Sequence, residues 1–204
     1  MCWWSRRRTS RRRPPSPCNG CGAPMRDRLD HYPLRQLVHA HGALQRAFAG
    51  GGMVDRLSRD GRYRISSHGA GATVFAASEL ALAEAQLVLR QACHDAVAFG
   101  DAIVHTYVDD ASGRVMAPVM FLRVDAPRPH GRALLRALAE RGIEPQEVES
   151  QRTRMVIRAE VPLARLLGVE RMIGELTDGS AHTMCWLLRY DAVTPGVLQA
   201  AVAS

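Results

Sequence analysis

Residues 153–161, Thr-Arg-Met-Val-Ile-Arg-Ala-Glu-Val, alternate with a strict period of two. Met155, Ile157, Ala159 and Val161 fall on one side, and Arg154, Val156, Arg158 and Glu160 on the other. That period predicts a strand with one face in a core and one wetter face, the pattern of an antiparallel sheet covered on one side. Pro162 follows, and its missing N–H costs little in the first turn of a helix. Leu163, Leu166, Leu167, Ile173 and Leu176 then share one helical face, and Asp178-Gly179 ends the helix.

The flanking sequence supplies matching partners. Residues 119–124 form a β-rich run bounded by Pro118 and Pro127. Residues 130–141 read as a helix with Leu134, Leu135 and Leu138 on one side, and Gly142 is placed to stop it. Residues 143–151 make a second, more polar strand near an edge. Residues 183–190 make a fourth, with Met184, Trp186, Leu188 and Tyr190 on one face. The order β-α-β-β-α-β is the split-βαβ, ferredoxin-like arrangement. It predicts an antiparallel sheet over residues 117–191 with both helices on one face.

Upstream lies a smaller α+β region, so the fold class as a whole is α+β. Leu34, Leu37, Val38 and Leu44 suggest a short helix closed by Gly50-Gly51-Gly52. Residues 62–66 alternate like a strand after an Asp60-Gly61 turn. Residues 68–72 read as a flexible loop that lacks the Gly-Lys-Ser/Thr of a phosphate cradle. Ser78 can cap a helix with Glu79 in its first turn. Ala81, Ala85, Val88 and Ala92 make its apolar face, widened by Leu80 and Leu87, and it should end near Gly100. Residues 102–108 form a strand, and residues 109–113 a turn. The expected organisation is a tail over 1–25, an α+β region over 26–115, the sheet domain over 116–191 and a C-terminal tail over 192–204.

Charge is unevenly spread. The formal charge is +7, and residues 1–25 hold six Arg and no acid, so the remainder is close to neutral. All 27 basic residues are Arg, which reads as GC-rich coding rather than selection for phosphate binding. The stretch MCWWSRRRTSRRRPPSP has no helical or strand period, so residues 1–17 read as disordered. Pro14, Pro15, Ser16 and Pro17 stand where an export signal needs an apolar stretch. Two readings of this segment stay open: an arginine-rich arm that neutralises phosphates, or an extension upstream of an alternative start at Met25. No apolar run approaches the ~20 residues of a membrane span.

Chemistry-bearing residues are sparse. The five cysteines are scattered and fit a reducing cytoplasm. Cys18-Asn19-Gly20-Cys21 lacks the second ligand pair of a zinc module, so no metal is expected. His68, His94 and His105 have no recognisable nucleophile or carboxylate partner. No catalytic residue and no cofactor is assigned, and the chain reads as non-enzymatic.

The run Val156-Ile157-Arg158-Ala159-Glu160-Val161-Pro162-Leu163-Ala164, with Gly168, resembles the V-x-R-A-x-V-P-L-A-x-x-x-G signature of translation elongation factor G. Leu176-Thr177-Asp178-Gly179 is similar to its L-T-x-G, and Thr183-Met184 to the T-M of its final strand. Pro118-Val119-Met120 resembles E-P-I-M-x-V, with Ala117 in place of the Glu. Arg141-Gly142-Ile143 resembles R-R-G-x-I, one residue shorter. The matches run in order over about 75 residues. They imply the fifth and last domain of that family, which contacts large-subunit ribosomal RNA near the factor-binding stalk. The order of elements in residues 62–113 is similar to the end of the family's fourth domain, without the helix that there leads into the fifth. Gly174 and Ser180 stand where the family has basic residues, and one residue is missing before His182. No Gly-x-x-x-x-Gly-Lys-Ser/Thr occurs, so GTP hydrolysis is not implied.

The resemblance implies a ribosome or ribosomal RNA partner. Candidate contacts are Arg128, Arg132, Arg136, Arg152, Arg154 and Arg158, because phosphate contacts come largely from such side chains. The alternative, from the near-neutral charge after residue 25, is a ferredoxin-like module for homodimerisation or a protein partner without RNA.

Overall fold

A computed structural model describes residues 28–193 apart from residues 43, 50, 51, 53 and 70. The expectations for residues 1–17, the Cys18/Cys21 pair and most of the C-terminal tail lie outside the described residues. Two antiparallel sheets with helices packed on them account for most of what is described.

The first sheet contains β1 (Leu34–Ala40), β2 (Tyr63–His68), β3 (Gly71–Ala76) and β4 (Val97–Val104), in the order β2-β3-β1-β4. Residues 34–40 are therefore a strand, not the helix suggested by the leucine and valine spacing. Leu34, Gln36, Val38 and Ala40 are the inward set. A polar residue at an inward position hid the period of two. Gln36 is accommodated because its amide donates to the Gly100 carbonyl at 2.7 Å and its Oε1 accepts from Gln86 Nε2 at 2.8 Å.

His68, Gly71 and Ala72 likewise belong to strands rather than to a flexible loop. Gly69, with φ 53°, turns the chain directly from β2 into β3. Gly71 opens β3, where any Cβ would collide with the Val38 carbonyl oxygen of β1. Helix α1 (Leu44–Ala49) brings Phe48 into the core beneath this sheet. Helix α2 (Glu79–Cys93) starts as expected, with Ser78 Oγ accepting from the Ala81 N–H at 3.2 Å. Its buried face is Ala81, Leu82, Ala85, Leu89 and Cys93. Leu80 and Leu87 are exposed rather than part of it. The helix stops at Cys93, because His94 takes φ 50°, and Gly100 lies within β4.

The second sheet contains β5 (Tyr107–Val108), β6 (Val115–Pro127), β7 (Glu147–Ser150), β8 (Arg154–Pro162) and β9 (His182–Ala192). Strand β6 is central, with β8 and then β7 on one side and β9 on the other, all antiparallel. The short β5 pairs with the first residues of β6. The expected strand over residues 102–108 is thus divided between the two sheets, interrupted at residues 105–106. Strand β7 is shorter than residues 143–151, since Ile143 is buried before it and Pro145 cannot donate to a ladder.

Helices α3 (Gly131–Glu140), α4 (Leu163–Leu166) and α5 (Val169–Leu176) cover one face. Met155, Ile157, Ala159 and Val161 are buried there, in a core shared with Leu134, Leu138, Leu166 and Ile173. Val156, on the other face, is buried too. The single helix expected after Pro162 is two helices, separated where Gly168 takes φ 76°. The fourth strand is also corrected. A register shift opposite Val119/Met120 interrupts its alternation. Met184, Trp186 and Leu188 are 41%, 47% and 38% exposed, whereas Tyr190 is fully buried.

The sheets meet through polar contacts as well as apolar ones. Tyr190 donates its hydroxyl to the Asp30 carbonyl at 2.8 Å. Gly168 donates its N–H to Glu79 Oε2, also at 2.8 Å. His105, at the crossing between the sheets, places Nε2 2.9 Å from Asp30 Oδ1 and 3.0 Å from Arg35 Nη2. That nitrogen can donate to the carboxylate or accept from the guanidinium, but not both.

Candidate nucleic-acid interface

The end of β6 and the β7–β8 connection bring arginines together. Pro127 closes β6, and the Arg128 N–H donates to the Thr153 carbonyl at 2.9 Å, clamping one connection to the other. Helix α3 begins three residues later. Gly131 allows it to start hard against the sheet, since a Cβ there would stand 2.9 Å from Met155 Cε and Sδ. The result is an open groove lined by Arg128, Pro129, Arg132, Arg152 and Thr153. Arg128, Arg132 and Arg152 are all exposed. Arg136 follows Arg132 by four positions, so it extends the same helical stripe, and it too is exposed.

The electrostatics of this corner are one-signed. The first turn of α3 contains no acid. The N-terminal end of its dipole adds positive potential to that of the guanidiniums. Such an arrangement suits anionic oxygens, with arginine able to bind phosphate in a bidentate manner.

Arg154 and Arg158 stand elsewhere, on the sheet face opposite the helices. Arg154 Nε donates to Asp125 Oδ1 at 2.5 Å, and its Nη2 to the Asp125 carbonyl at 3.1 Å. Arg158 Nη1 lies 2.7 Å from Glu147 Oε2 and 2.7 Å from Glu149 Oε1. The Arg158 hydrogen bond holds the Glu149 carboxyl below the usual range, and bonds to Glu149 and Glu147 raise the Arg158 guanidinium. On the same face Arg189 pairs with Glu160 at 2.6 Å and with Asp191 at 2.9 Å. Of the six candidates, the fold groups Arg128, Arg132, Arg136 and Arg152, and pairs Arg154 and Arg158 with carboxylates. Sequence spacing could not separate the two sets, because the partners Asp125, Glu147 and Glu149 lie on neighbouring strands.

Two motif positions have structural roles. Thr177 is fully buried; its N–H and Oγ1 both donate to the Ile173 carbonyl, at 3.1 and 2.7 Å. Asp178 and Gly179 then take φ 49° and 72°, and Gly179 N–H donates to the Gly174 carbonyl. The Leu-Thr-x-Gly run is thus the C-terminal cap of α5. Cys185 is a thiol that burial pushes up to about 12 and so keeps protonated. Among the described residues no group of three or more His, Cys, Asp or Glu side chains could hold a metal ion. No helix among them is long and apolar enough to cross a membrane.

No family model matches the chain. Over 85 residues it is 33% identical to the mitochondrial ribosome-releasing factor 2 of Rattus norvegicus, and equally so to that of Mus musculus. The protein of the same name from Bos taurus is 33% identical over 82 residues. The rodent matches cover 42% of this chain but only 11% of each relative. Ribosome-releasing factor 2 is an elongation factor G family member, so the similarity to that family holds over part of this chain. The solved structure of a Thermus thermophilus protein superposes with a TM-score of 0.55 at 16% identity. That match covers 82% of this chain and 42% of the other, and it bears on the fold alone.

Proposed function

We propose that the chain is a non-enzymatic translation-associated protein whose second sheet is a ferredoxin-like relative of the elongation factor G C-terminal domain. It binds large-subunit ribosomal RNA through the corner formed by Arg128, Arg132, Arg136 and Arg152. The observation that carries this is the open arginine groove at the start of α3, with no acid in the first helical turn. The partial similarity to ribosome-releasing factor 2 supports a translational role and hence the choice of RNA over other anions. On this reading residues 26–115 are a separate unit that orients the sheet domain through the Asp30 and Glu79 contacts. The chain works in the cytoplasm or, as its relatives' name suggests, in the mitochondrial matrix.

Arg154 and Arg158 are left out of the interface. Arg154 is bonded to the Asp125 carboxylate and Arg158 to those of Glu147 and Glu149; each must give these up before it neutralises a phosphate, and that exchange gains little. Co-sedimentation with large ribosomal subunits at low and high salt tests the proposal. The protein started at Met25 should pellet with them at low salt. Substituting Arg128, Arg132 and Arg152 together by Ala should abolish this, whereas Arg154→Ala with Arg158→Ala should not.

A further inference from the structure

We propose that Arg141 and Arg165 form a two-arginine site for a phosphate group, at the end of α3 remote from the Arg128 groove. Arg141 stands at the C-terminal cap of α3, and Arg165 lies in α4. Arg141 Nη1 donates to the Leu167 carbonyl at 2.9 Å, and Arg165 Nη1 donates to the Gly142 carbonyl at 2.8 Å. The turn after α3 and the turn between α4 and α5 thus each hold the arginine of the other. Both guanidiniums are fixed across a single gap. The glycines of the two turns make room for them. Gly142 and Gly168 take φ 66° and 76°. A Cβ on Gly142 would stand 3.3 Å from Arg165 Nη1, and one on Gly168 would stand 3.8 Å from Arg141 Nη2.

Capping a helix carbonyl takes one N–H of an arginine fork. The remaining donors of each fork are left to a ligand, and both residues are exposed. Among the described residues neither guanidinium pairs with a carboxylate. Glu140 and Glu144 flank Arg141 in sequence and pair with neither. Glu79, which reaches Gly168 from the first sheet, accepts its N–H instead. The contrast within the same domain is direct, since Arg154, Arg158 and Arg189 are all engaged by carboxylates.

Two like charges held across one gap repel each other, and an anion between them relieves that repulsion. A phosphate fits, because its several oxygens can meet two planar forks at once, each in a bidentate manner. Helix α3 has ten residues, so this site lies about 15 Å along its axis from the first groove. The phosphate is then a second one of the RNA backbone, an occupant that rests on the RNA reading above. A free phosphate compound carries the same chemistry.

The test titrates the full chain with inorganic phosphate, at constant ionic strength against chloride, and reads the backbone amide resonances of Gly142 and Gly168. Both should shift saturably. Arg141→Lys and Arg165→Lys keep the charge and can still cap the carbonyls, but they lose the planar fork. Each should weaken phosphate about tenfold. Replacing Arg128, Arg132 and Arg152 by Ala should leave the titration at these two glycines unchanged. The double lysine variant should also bind large-subunit ribosomal RNA about tenfold more weakly. Unchanged RNA affinity with weakened phosphate keeps the site and overturns RNA as the source, in favour of a free phosphate. The phosphate titration stands whether or not the chain binds RNA, so failure of that reading and failure of this one are separate results. Absence of a saturable shift, or shifts that both lysine variants preserve, overturns the proposal and leaves the two arginines as helix caps.

Discussion

The hydroxyl of Tyr190 reaches across 160 positions of sequence to donate to the backbone carbonyl of Asp30 at 2.8 Å, with both residues buried. It joins the last strand of one sheet to the segment that precedes the first strand of the other. Tyr107 and His105 pack beside it, with ring centroids 5.2 and 6.1 Å away. Removing only the hydroxyl, as Tyr190→Phe, leaves the Asp30 carbonyl buried without this donor. The expected loss is about 1–3 kcal/mol in urea unfolding of the full chain, with the ring packing kept. A loss below about 0.5 kcal/mol would show that the contact does not hold the joint.

His105 gives the same joint a pH dependence. Burial holds its imidazole below the ordinary 6.5, outweighing the raising effect of Asp30, while the Arg35 charge lowers it further. The unfolded chain therefore binds the proton more readily than the folded one. Its contribution to stability is complete above pH 6.5 and is lost as the pH falls toward the folded value. Melting temperature should decline as the pH falls below 6.5, and His105→Gln should flatten that part of the profile. An unchanged profile in the variant would remove His105 from this role.

Gly71 is required by the packing of β3 against β1. A Cβ at this position meets the Val38 carbonyl oxygen, which belongs to the ladder and cannot move aside as a side chain would. Gly71→Ala should destabilise the chain by about 3 kcal/mol in chemical denaturation. Gly174→Ala, where the added methyl meets nothing within 4 Å, should have the opposite sign or no effect.

The second sheet was more legible in the sequence than the first, for a physical reason. Met155, Ile157, Ala159 and Val161 are apolar at every inward position, so the period of two is uninterrupted. Strand β1 places Gln36 inward, satisfied by Gly100 and Gln86, contacts that arise only after folding. Strand β9 keeps its alternation until one extra residue shifts the register and turns Tyr190 inward. The break in the helix after Pro162 sits at a glycine, but its N–H bond to Glu79 depends on the first sheet. At the candidate site, the residue types were visible and their grouping was not. Arg128, Arg132 and Arg152 converge through the Arg128–Thr153 clamp, and Arg154 and Arg158 are neutralised by carboxylates on neighbouring strands.

The most direct test of the proposed RNA interface is the salt dependence of affinity for large-subunit ribosomal RNA. It should be measured on protein started at Met25, so that the six arginines of residues 1–25 do not contribute. Each phosphate contact adds roughly 0.7–0.9 to the slope of log affinity against log salt. Arg128→Ala, Arg132→Ala and Arg152→Ala should each lower the slope by about that amount, and Arg154→Ala with Arg158→Ala should leave it in place. Failure of the Met25-started protein to bind at low salt, or a slope that depends on Arg154 and Arg158 instead, would contradict the account.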